Sequence, residues 1–486
     1  MSDSLPLVEE LSPPPDPLET CARFEGLPFL LFFDSATRHE KLGRYSFLTA
    51  DPPALIRTTG AHTQQWTQAT GDWTPASGDP LAAAQRLLGL HAAAAVPGLP
   101  PFQGGVAGYL GYDWGATLER LPRPRYPGLP VPDAVLGLYD WVIAWDHAGR
   151  RAWIIATGLP ERGTARVERA AGRLAFVRAR LADGRTGGRP DGARSRPAGP
   201  PVRVSAPTYP VPGVPGVRST FTRDGYLDAV ARVIEYTFAG DIFQANLSQR
   251  LQSPLIGTPL ALYRRLRSRN AAPFSAYLDC GDHVVASSSP ERFLRVADGQ
   301  VEARPIKGTR PRGAGPEDDA ALAVELATSD KDRAENVMIV DLLRNDLSRV
   351  CMAGTVCAPQ LFTVERYATV QHLVSTVVGD LALERDATDL VRAAFPGGSV
   401  TGAPKVRAME VIAELEPTAR GVYCGAIGYW SVTGALDTSI AIRTCVVLGD
   451  EVFFQAGGGI VADSDPEQEY AETLDKARGW IAALAP

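Results

Sequence analysis

The sequence predicts an α+β fold with largely antiparallel sheets, and two observations support this prediction. Strand-like runs occur in hairpin-like groups, and helical patterns are inserted between the groups. The regular alternation of strand and helix that builds a parallel sheet is missing from the pattern. A chain of 486 residues is long enough for two or three domains, so a large core is expected.

The first 183 residues predict short strands separated by turns, followed by one helix. Strand-like runs cover Pro28 to Phe33 and Ala134 to Trp145, and a helical pattern covers Thr164 to Leu181. Residues 184–217 are then rich in Gly, Arg, Pro and Ser, and their apolar periodicity stops. We therefore expect an N-terminal region at 1–183, a linker at 184–217 and a second region at 218–486.

The second region has clearer patterns. Its first helix is predicted by apolar residues at helical spacing from Tyr226 to Thr237, with Gly240 as the expected C-terminal cap. Further helices are predicted at 330–343, 404–415 and 466–484. Strands are predicted at 242–251, 275–280, 283–288, 293–296, 426–432, 438–447 and 452–455.

Composition excludes several classes of partner. The chain has 49 basic and 55 acidic residues, so no nucleic acid or anionic membrane is expected as a partner, and a small-molecule substrate fits better. The sequence has no signal-peptide pattern at its start and no apolar run long enough for a membrane helix, which predicts a cytoplasmic protein. Its six cysteines form no Cys-x-x-Cys pair, so no zinc or redox motif is indicated.

Lys307 lies in the run RPIKGTRPRG at 304–313, where proline and glycine predict a tight loop. Arg310 and Arg312 are close in sequence, and nearby like charge favours the neutral, nucleophilic form of an amine. One hypothesis is that Lys307 forms a covalent bond with a substrate. The alternative is a surface lysine in a basic turn.

Two pairs of acids are spaced i, i+3 in predicted helices: Asp332 with Glu335, and Glu469 with Glu472. This spacing places both members of a pair on one helical face. Four carboxylates from two helices are suitable ligands for Mg²⁺, which is the cation that we expect.

The same acids also fit helix capping. Ser329 and Asp332 have the spacing of a capping box, Pro466 suits a first helical turn, and acids at these positions complement the helix dipole. The pattern alone leaves both interpretations open.

Two glycine-rich runs are candidate anion sites. The run FPGGSVTGAPK at 395–405 predicts a loop that leads into a helix, with Thr401 as its cap, and the order of a nucleotide P-loop is missing. The run QAGGGI at 455–460 follows a predicted strand, and its amides could meet a carboxylate. Either run could equally be an ordinary tight turn.

Arg443 and His372 are single candidates within strand-like runs. An arginine among apolar residues needs a partner, and either a bound carboxylate or a structural salt bridge would satisfy Arg443. His372 is either a hydrogen-bonded core residue or an aid to a leaving hydroxyl.

Taken together, these motifs resemble the chorismate-utilising enzymes. The resemblance covers residues 220–480, through GDIFQ at 240–244, SPERF at 289–293, PIKGT at 305–309 and DLLRND at 341–346, and extends more loosely to GGVAGYLGYD at 104–113. It implies a β-sandwich of two antiparallel sheets flanked by helices, with the N-terminal part packed around it.

Within this family, Lys307 resembles the lysine of the aminodeoxychorismate-forming members, where the anthranilate-forming members usually carry alanine. Gln244 stands where the isochorismate- and salicylate-forming members have a lysine that activates water. The resemblance therefore implies a component I that converts chorismate and ammonia to 4-amino-4-deoxychorismate, for 4-aminobenzoate and folate synthesis.

The resemblance also implies roles for individual residues. Mg²⁺ would be held directly by Glu335 and Glu472, with Asp332 and Glu469 acting through water. Lys307 would add at C2 of chorismate, with Glu291 as general acid and His372 in support. The implied substrate contacts are Arg443, Tyr423, Ser399, Thr309, Gly457, Gly459 and Gln244.

Ammonia is expected to come from a separate subunit. A glutamine amidotransferase needs a cysteine in a Gly-x-Cys-x-Gly elbow, and no cysteine of this chain has that setting. We therefore expect a partner glutaminase.

Members of the family can hold tryptophan between their two halves, against a Leu-Glu-Ser-like segment. Here that segment reads FDS at 33–35. The pocket that the resemblance implies is lined by Ser35, Arg44, Pro273, Phe274 and Ser275.

Three other functions are compatible with parts of the sequence. Anthranilate synthase component I has the same fold, and Lys307 argues against it. A non-catalytic chorismate-binding regulatory subunit is of another class, and the full set of acids argues against it. Isochorismate synthase is a more distant alternative.

Overall fold

The computed structural model describes residues 6–37, 42–183, 206–367 and 370–485. The α-helices in these ranges are α1 (Pro17–Phe24), α2 (Pro80–Leu90), α3 (Gly163–Ala182), α4 (Arg223–Phe238), α5 (Pro259–Arg269), α6 (Pro316–Thr328), α7 (Asp330–Ser348), α8 (Ala387–Ala394), α9 (Lys405–Leu415) and α10 (Pro466–Leu484). Two short 3₁₀ helices lie at Tyr112–Thr117 and Gly398–Val400. Most of the predicted linker, 184–205, lies outside the described residues.

The strands occur mostly in groups between these helices along the described chain. They are β1 (Leu7–Leu11), β2 (Leu31–Asp34), β3 (Tyr45–Thr49), β4 (Ala54–Thr59), β5 (His62–Thr67), β6 (Trp73–Pro75), β7 (Gly105–Leu110), β8 (Ala134–Tyr139), β9 (Trp141–Asp146), β10 (Arg151–Ala156), β11 (Tyr209–Pro210), β12 (Arg218–Ser219), β13 (Gln244–Pro254), β14 (Phe274–Asp279), β15 (Val284–Ser289), β16 (Arg292–Ala297), β17 (Gln300–Ala303), β18 (Ile306–Pro311), β19 (Cys357–Arg366), β20 (Val370–Asp380), β21 (Gly402–Ala403), β22 (Ala426–Ser431), β23 (Leu436–Ile440), β24 (Thr444–Leu448) and β25 (Glu451–Ile460).

Two large antiparallel sheets contain these strands. The first has the order β1-β10-β9-β3-β2-β14-β15-β24-β25-β13-β12-β11, with β21 beside β13. The second has the order β18-β20-β17-β16-β23-β22-β7-β8-β4-β5-β6, with β19 beside β20. Each sheet therefore joins strands from before and after the predicted linker, at the β2–β14 pair and the β22–β7 pair.

The sheets form a sandwich with helices on its outer sides. One core cluster lies between the sheets, where Phe47 and Val285 of the first sheet meet Tyr109 and Ile427 of the second. Three others include residues of the helices; Trp141 and Trp480 belong to the cluster outside the first sheet. The predicted α+β sandwich of antiparallel sheets flanked by helices is confirmed.

Helix boundaries follow local capping signals. Thr222 caps α4 by accepting a hydrogen bond from the amide of Gly225, and Gly240 follows the helix at a φ of +80°. Asp465 caps α10 in the same way, and Pro466 occupies its first turn. These signals explain why the predicted start of α10 agrees with the structure.

Two runs predicted as single strands are each divided between the two sheets, so these predictions are wrong in detail. The run 134–145 breaks at Asp140, with β8 in the second sheet and β9 in the first. The run 438–447 breaks at residues 441–443, between β23 and β24. A buried strand is apolar on both faces, so periodicity alone does not reveal where such a run changes sheet.

The described cysteines are all unpaired, and all except Cys357 are buried. None of the described helices is both long enough and apolar enough to cross a membrane.

Candidate active site

A cavity of about 670 Å³ opens where α7, α10, β18 and the glycine-rich part of β25 meet. Almost all of the residues predicted for the site line it: Glu291, Lys307, Thr309, Asp332, Glu335, His372, Ser399, Tyr423, Arg443, Gly457, Gly459, Glu469 and Glu472. Gln244 is different, because it is fully buried behind Gly459. The fold thus brings together residues spread over nearly 200 positions.

Lys307 lies in β18, so the predicted loop is wrong. The strand pairs with β20, and its register shifts between Lys307 and Thr309, which leaves Gly308 as the extra residue of a bulge. Gly308 has a φ of +78°, and a Cβ there would lie 2.8 Å from Cγ of Asp332. Glycine therefore allows both the bulge and the approach of Asp332 to the strand.

The charges around Lys307 also differ from the prediction. Its Nζ lies 3.7 Å from Oε2 of Glu335, and its side chain is 12% exposed. Arg310 forms ion pairs with Glu325 and Asp332. Because Arg310 is engaged by acids, and Arg312 is paired with Asp319, like-charge crowding of Lys307 is not found.

Glu291 is a buried carboxylic acid, 5% exposed, on the same cavity. Burial raises the pKa of Glu291 to about 7, while a hydrogen bond from Ser399, the charge of Lys307 and the amide of Ile306 act in the opposite direction. A carboxyl group with this pKa is partly protonated near neutral pH. Glu291 can therefore deliver a proton inside the cavity.

His372 is neutral near pH 7. Burial lowers the pKa of His372 to about 4, and the neighbouring Arg443 acts in the same direction. Its Nδ1 lies 2.9 Å from Oγ1 of Thr309, in a hydrogen bond, and its ring makes an edge contact with Tyr367. His372 is thus placed to orient a hydroxyl group, and it does not supply a positive charge.

The four predicted metal ligands come from two helices on either side of the cavity. Asp332 and Glu335 project from α7, and Glu469 and Glu472 project from α10. Asp332 has a capping role as well as a place in the site. Its backbone amide donates a hydrogen bond to the hydroxyl of Ser329, the N-cap of α7, at 3.2 Å.

Each of these acids has a partner of its own. Nζ of Lys476 lies 2.5 Å from Oε1 of Glu472, and the hydroxyl of Ser464 donates a hydrogen bond to Oε1 of Glu469 at 2.7 Å. Burial raises the pKa of Glu469, and the charge of Glu472 raises it further. Burial alone would raise the pKa of Glu472. The charge and the hydrogen bond of Lys476, together with the charges of Lys331 and Lys307, outweigh burial, so the pKa of Glu472 is lowered. Within the described residues, no three acids, histidines or cysteines form a ready metal-binding cluster.

The donor set nevertheless suits Mg²⁺, which prefers carboxylate oxygens and keeps several waters. Gly458 leaves space beside two of the acids. A Cβ on Gly458 would lie 3.0 Å from Oε2 of Glu469 and 3.6 Å from Oε1 of Glu472. The space next to α10 therefore exists because this position of β25 has no side chain.

Arg443 lies in the segment where the chain passes between the sheets, and not in a strand as predicted. It has a φ of +48°, and its Nη1 donates to Oδ1 of Asn270 at 3.3 Å. Burial lowers the pKa of Arg443, and among the described residues no carboxylate pairs with it. Its guanidinium is therefore available to a bound carboxylate, with the buried Tyr423 on the same cavity.

Both glycine-rich runs differ from their predictions. Gly457 and Gly459 lie inside β25, not after it, and they pair with Ser248 and Asn246 of β13. Thr401 does not cap α9; its hydroxyl donates to the carbonyl of Gly397, and Pro404 stands at the N-cap. The second run therefore supplies a wall of backbone to the cavity.

The family model for chorismate binding enzymes matches residues 30–482 of this chain. The chain belongs to the chorismate binding enzyme family. Within this family it is 40% identical over 464 residues to aminodeoxychorismate synthase component 1 of Salmonella typhimurium, covering 94% of this chain and 93% of the relative. It is 44% identical over 409 residues to anthranilate synthase component 1 of Streptomyces coelicolor, covering 84% of this chain and 78% of the relative.

The fold of the family is also found among solved structures. Anthranilate synthase component I from Streptococcus pneumoniae superposes with a TM-score of 0.74 at 31% identity, covering 90% of this chain and 92% of that one. The two relatives named above thus share the family of this chain, while their names record different reactions.

The residues that line this cavity and that the sequence analysis missed include Asn246, Lys331 and Lys476. The charges of Lys331 and Lys476 act on both Glu469 and Glu472. Lys476 lies four residues after Glu472 on one helix, a spacing that could have revealed the pair. Asn246 lies two residues after Gln244, which places both on one face of β13.

A second cavity of about 440 Å³ lies between the two sheets. It is lined by all of the residues predicted for a tryptophan pocket: Ser35, Arg44, Pro273, Phe274 and Ser275. Asp34, on the same wall, accepts hydrogen bonds from Arg267 at 2.5 Å and from Tyr263 at 3.0 Å. The short FDS segment is thereby fixed to α5.

Proposed function

We propose that this chain is component 1 of an aminodeoxychorismate synthase, which converts chorismate and ammonia to 4-amino-4-deoxychorismate. One observation carries the proposal: the amine of Lys307 faces the same cavity as the buried acid Glu291. A primary amine beside a proton donor is the combination that a covalent displacement requires. The name of the Salmonella typhimurium relative, at 40% identity, agrees with this choice.

The first step would form a lysine adduct. Nζ of Lys307 attacks C2 of chorismate, both ring double bonds shift (C1=C2 to C1=C6, and C5=C6 to C4=C5), and the C4–O bond breaks. Glu291 gives its proton to the departing oxygen, so that water leaves. The proton of the new secondary ammonium returns to Glu291, which restores the acid.

The second step would release the lysine. Ammonia attacks C4, both ring double bonds shift back, and the C2–Nζ bond breaks with its electron pair returning to Lys307. A proton of the new ammonium group passes to Nζ. The enzyme is regenerated, and the product carries nitrogen at C4.

Other residues would bind and orient the substrate. Arg443 can pair with a carboxylate of chorismate, because no acid in the described part of the chain pairs with its guanidinium. His372, neutral and hydrogen-bonded to Thr309, would orient the C4 hydroxyl. Ser399 holds Glu291 in place.

Mg²⁺ is the cation that we propose for the two acid pairs. Glu335 and Glu472 would hold it directly, with Asp332 and Glu469 as further oxygen ligands. When bound, the ion would offset the negative charge of the ring carboxylate.

A partner glutaminase is proposed as the ammonia source, since relatives are named as component 1 of a synthase. Free ammonia at high concentration would then replace the partner. This allows the chain to be assayed alone.

The test is mass spectrometry of protein and products with chorismate, Mg²⁺ and ammonium chloride. We expect 4-amino-4-deoxychorismate from the parent and none from Lys307→Ala. Without ammonium, we expect a mass increase on the parent protein that maps to Lys307. Anthranilate from the parent would refute the proposal, and no turnover even with a competent glutaminase would favour a regulatory subunit.

Anthranilate synthesis is the second candidate, because the Streptomyces coelicolor relative with that name is 44% identical. This reaction needs no lysine nucleophile, so Lys307→Ala would retain the activity. The same variant therefore separates the two candidates.

We also propose tryptophan as a ligand of the second cavity. Phe274 and Arg44 on its wall can contact an indole ring and a carboxylate, respectively. Isothermal titration with tryptophan tests this, and no heat of binding at millimolar concentration would refute it.

A further inference from the structure

Arg420 is a buried arginine that contacts four residues of the cavity wall without lining the cavity itself. Its side chain is 1% exposed. The four residues belong to four separate segments of the chain: Asn246 on β13, Val400 in the second 3₁₀ helix, Tyr423 before β22, and Gln455 on β25. One residue behind the wall therefore joins parts of the site that are far apart in the sequence.

The contacts of Arg420 have hydrogen-bond geometry. Nη1 donates to the carbonyl of Val400 at 2.9 Å, and Nη2 donates to the carbonyl of Asn246 at 2.5 Å. The guanidinium carbon lies 5.8 Å from the centre of the Tyr423 ring, and the backbone carbonyl of Arg420 accepts Nε2 of Gln455 at 2.8 Å. A planar guanidinium donates in several fixed directions, which the compact ammonium group of lysine does not reproduce.

The positive charge of Arg420 is compensated by Glu416. Nε and Nη2 of Arg420 donate to the two carboxylate oxygens of Glu416, at 3.0 and 2.6 Å. Oε1 of Glu416 also accepts the amide and the hydroxyl of Ser248, at 2.8 and 2.9 Å. Each nitrogen of the guanidinium therefore has a partner, and β13 holds the buried ion pair in one orientation.

Arg420 and β13 together fix the turn that carries Ser399. The amide of Asn246 donates to the carbonyl of Thr401 at 2.8 Å, while the carbonyl of Asn246 accepts Arg420. Ser399 lies in this anchored turn, and its hydroxyl donates a hydrogen bond to the carboxyl group of Glu291. The place of this hydrogen-bond donor thus depends on Arg420.

We infer that Arg420 is a positioning residue for the reaction, because it holds Ser399 against the carboxyl group of Glu291. The inference rests on the proposed function, in which Glu291 is the general acid. Arg420 itself touches no reacting atom. It orients the acid, and it favours the ionised form of the acid, because a hydrogen bond from Ser399 stabilises the carboxylate.

The experiment is an infrared titration of the Glu291 carboxyl group in the parent, Arg420→Lys and Ser399→Ala, with Glu291→Gln to identify the band. Ser399→Ala removes the hydrogen bond directly, and Arg420→Lys removes its support. We expect each variant to move the midpoint of protonation upwards by about 0.7 pH unit, which corresponds to one hydrogen bond. Both substitutions together should give the same shift as either one, because they act on one contact.

The other groups that face Glu291 are unchanged in these variants. They are Lys307 and the amide of Ile306 in β18, and the thiol of Cys424. A shift in the midpoint can therefore be attributed to the hydrogen bond from Ser399.

Adduct formation on Lys307 gives a second measurement. Without ammonium, we expect Arg420→Lys and Ser399→Ala each to form the adduct about tenfold more slowly at pH 6, because the acid is less well oriented. The combined variant should be no slower than the slower of the two.

Arg173→Lys is the matched control. Arg173 is also a largely buried arginine that bridges an acid and a carbonyl, since Nε donates to Asp140 at 3.0 Å and Nη2 donates to the carbonyl of Asp51 at 2.8 Å. It lies on α3 and does not line the cavity. The midpoint of Glu291 and the rate of adduct formation should both match those of the parent.

A second variant covers the case in which Arg420→Lys does not fold. Arg420→Gln combined with Glu416→Gln removes both buried charges, so neither charge is left unpaired. A glutamine side chain is too short to reach the carbonyls of Val400 and Asn246 together. We therefore expect the same upward shift in the midpoint of Glu291.

Three outcomes would overturn the inference. The first is a parental midpoint of Glu291 in both Arg420 variants. The second is additive effects of Arg420→Lys and Ser399→Ala, which would mean that Arg420 acts by another route. The third is an equal shift in Arg173→Lys. A parent protein that forms no adduct would instead refute the proposed function, and the infrared titration, which needs no turnover, would still show whether Arg420 supports Ser399.

Discussion

Lys307 and Glu335 form an ion pair across the cavity, with 3.7 Å between Nζ and Oε2. The proposed nucleophile therefore lies next to a proposed metal ligand. Both side chains are largely buried, at 12% and 17% exposure, so each depends on the other for charge compensation. The position of Lys307 thus has an electrostatic role besides the proposed covalent one.

Lys307→Arg should separate these two roles. Arginine retains a positive charge beside Glu335, but a guanidinium does not lose its proton in this pH range and does not act as a nucleophile. We expect Lys307→Arg to bind chorismate within about tenfold of the parent and to form no adduct. Titration calorimetry and intact-protein mass spectrometry measure the two properties, and an adduct on the arginine variant would contradict the prediction.

Glu291→Gln should slow adduct formation about 100-fold, because a general acid contributes on this scale. In the parent, the rate should fall as the pH rises through about 7, where Glu291 loses its proton. The variant should lack this inflection. Stopped-flow measurements between pH 5.5 and 8.5 provide the profile, and an inflection retained in Glu291→Gln would assign it to another group.

The same substitution should stabilise the fold at high pH. The folded-state pKa of Glu291 is raised from 4.5 to about 7, so between these values the unfolded chain loses this proton and the folded chain keeps it. Rising pH therefore favours unfolding over this window, and the loss is complete above pH 7. We expect the free energy of unfolding of Glu291→Gln to exceed that of the parent by about 3 kcal/mol at pH 8. Near pH 4.5 the two free energies of unfolding should match. Urea unfolding at both pH values tests this, and an equal gain at the two would contradict it.

Gly308→Ala should disturb the bulge of β18. Gly308 and Gly299 both have a φ of +78°, but a Cβ at Gly299 has no atom within 4 Å. Gly299→Ala should therefore cost about 1 to 3 kcal/mol from backbone strain alone. Gly308→Ala should cost a further 1 to 3 kcal/mol, because its Cβ meets Asp332 and Leu326. If denaturant melts gave the same loss of unfolding free energy for both variants, Asp332 would have moved aside without an energetic penalty.

Glu472→Gln should weaken activation by Mg²⁺. We expect the Mg²⁺ concentration for half-maximal activity to rise at least about tenfold, since one charged ligand is lost. Glu467→Gln is the control on the same helix, because Glu467 is 57% exposed and pairs with Arg223 at the surface. Its Mg²⁺ titration should match that of the parent, and a similar shift in both variants would refute the proposed ligand set.

The sequence predicted regular elements well where capping and periodicity coincide. The predicted bounds 466–484 are those of α10, since Asp465 and Pro466 mark its start. The division between β8 and β9 was missed, although Asp140 is a polar residue within an apolar run. Asp140 is buried between Arg169 and Arg173, and only long-range contacts reveal why it interrupts the strand.

The site was predicted by motif, whereas its electrostatics required the fold. Sequence proximity suggested that Arg310 crowds Lys307, but Arg310 turns to Glu325 and Asp332. Glu291 was placed by resemblance, and its raised pKa depends on burial, which no local pattern encodes. Asn246 was missed because an asparagine in a strand carries no signal until its unpartnered oxygen is seen.

The joining of early and late strands within each sheet has a consequence for synthesis. Strand β7 lies beside β22, so its edge remains unpaired until the ribosome has added more than 300 further residues. At 5–20 residues per second this interval lasts roughly 15 to 60 s. During that time the nascent chain exposes a strand edge that is buried in the folded protein. A chaperone that covers residues 105–110 would protect this edge from aggregation.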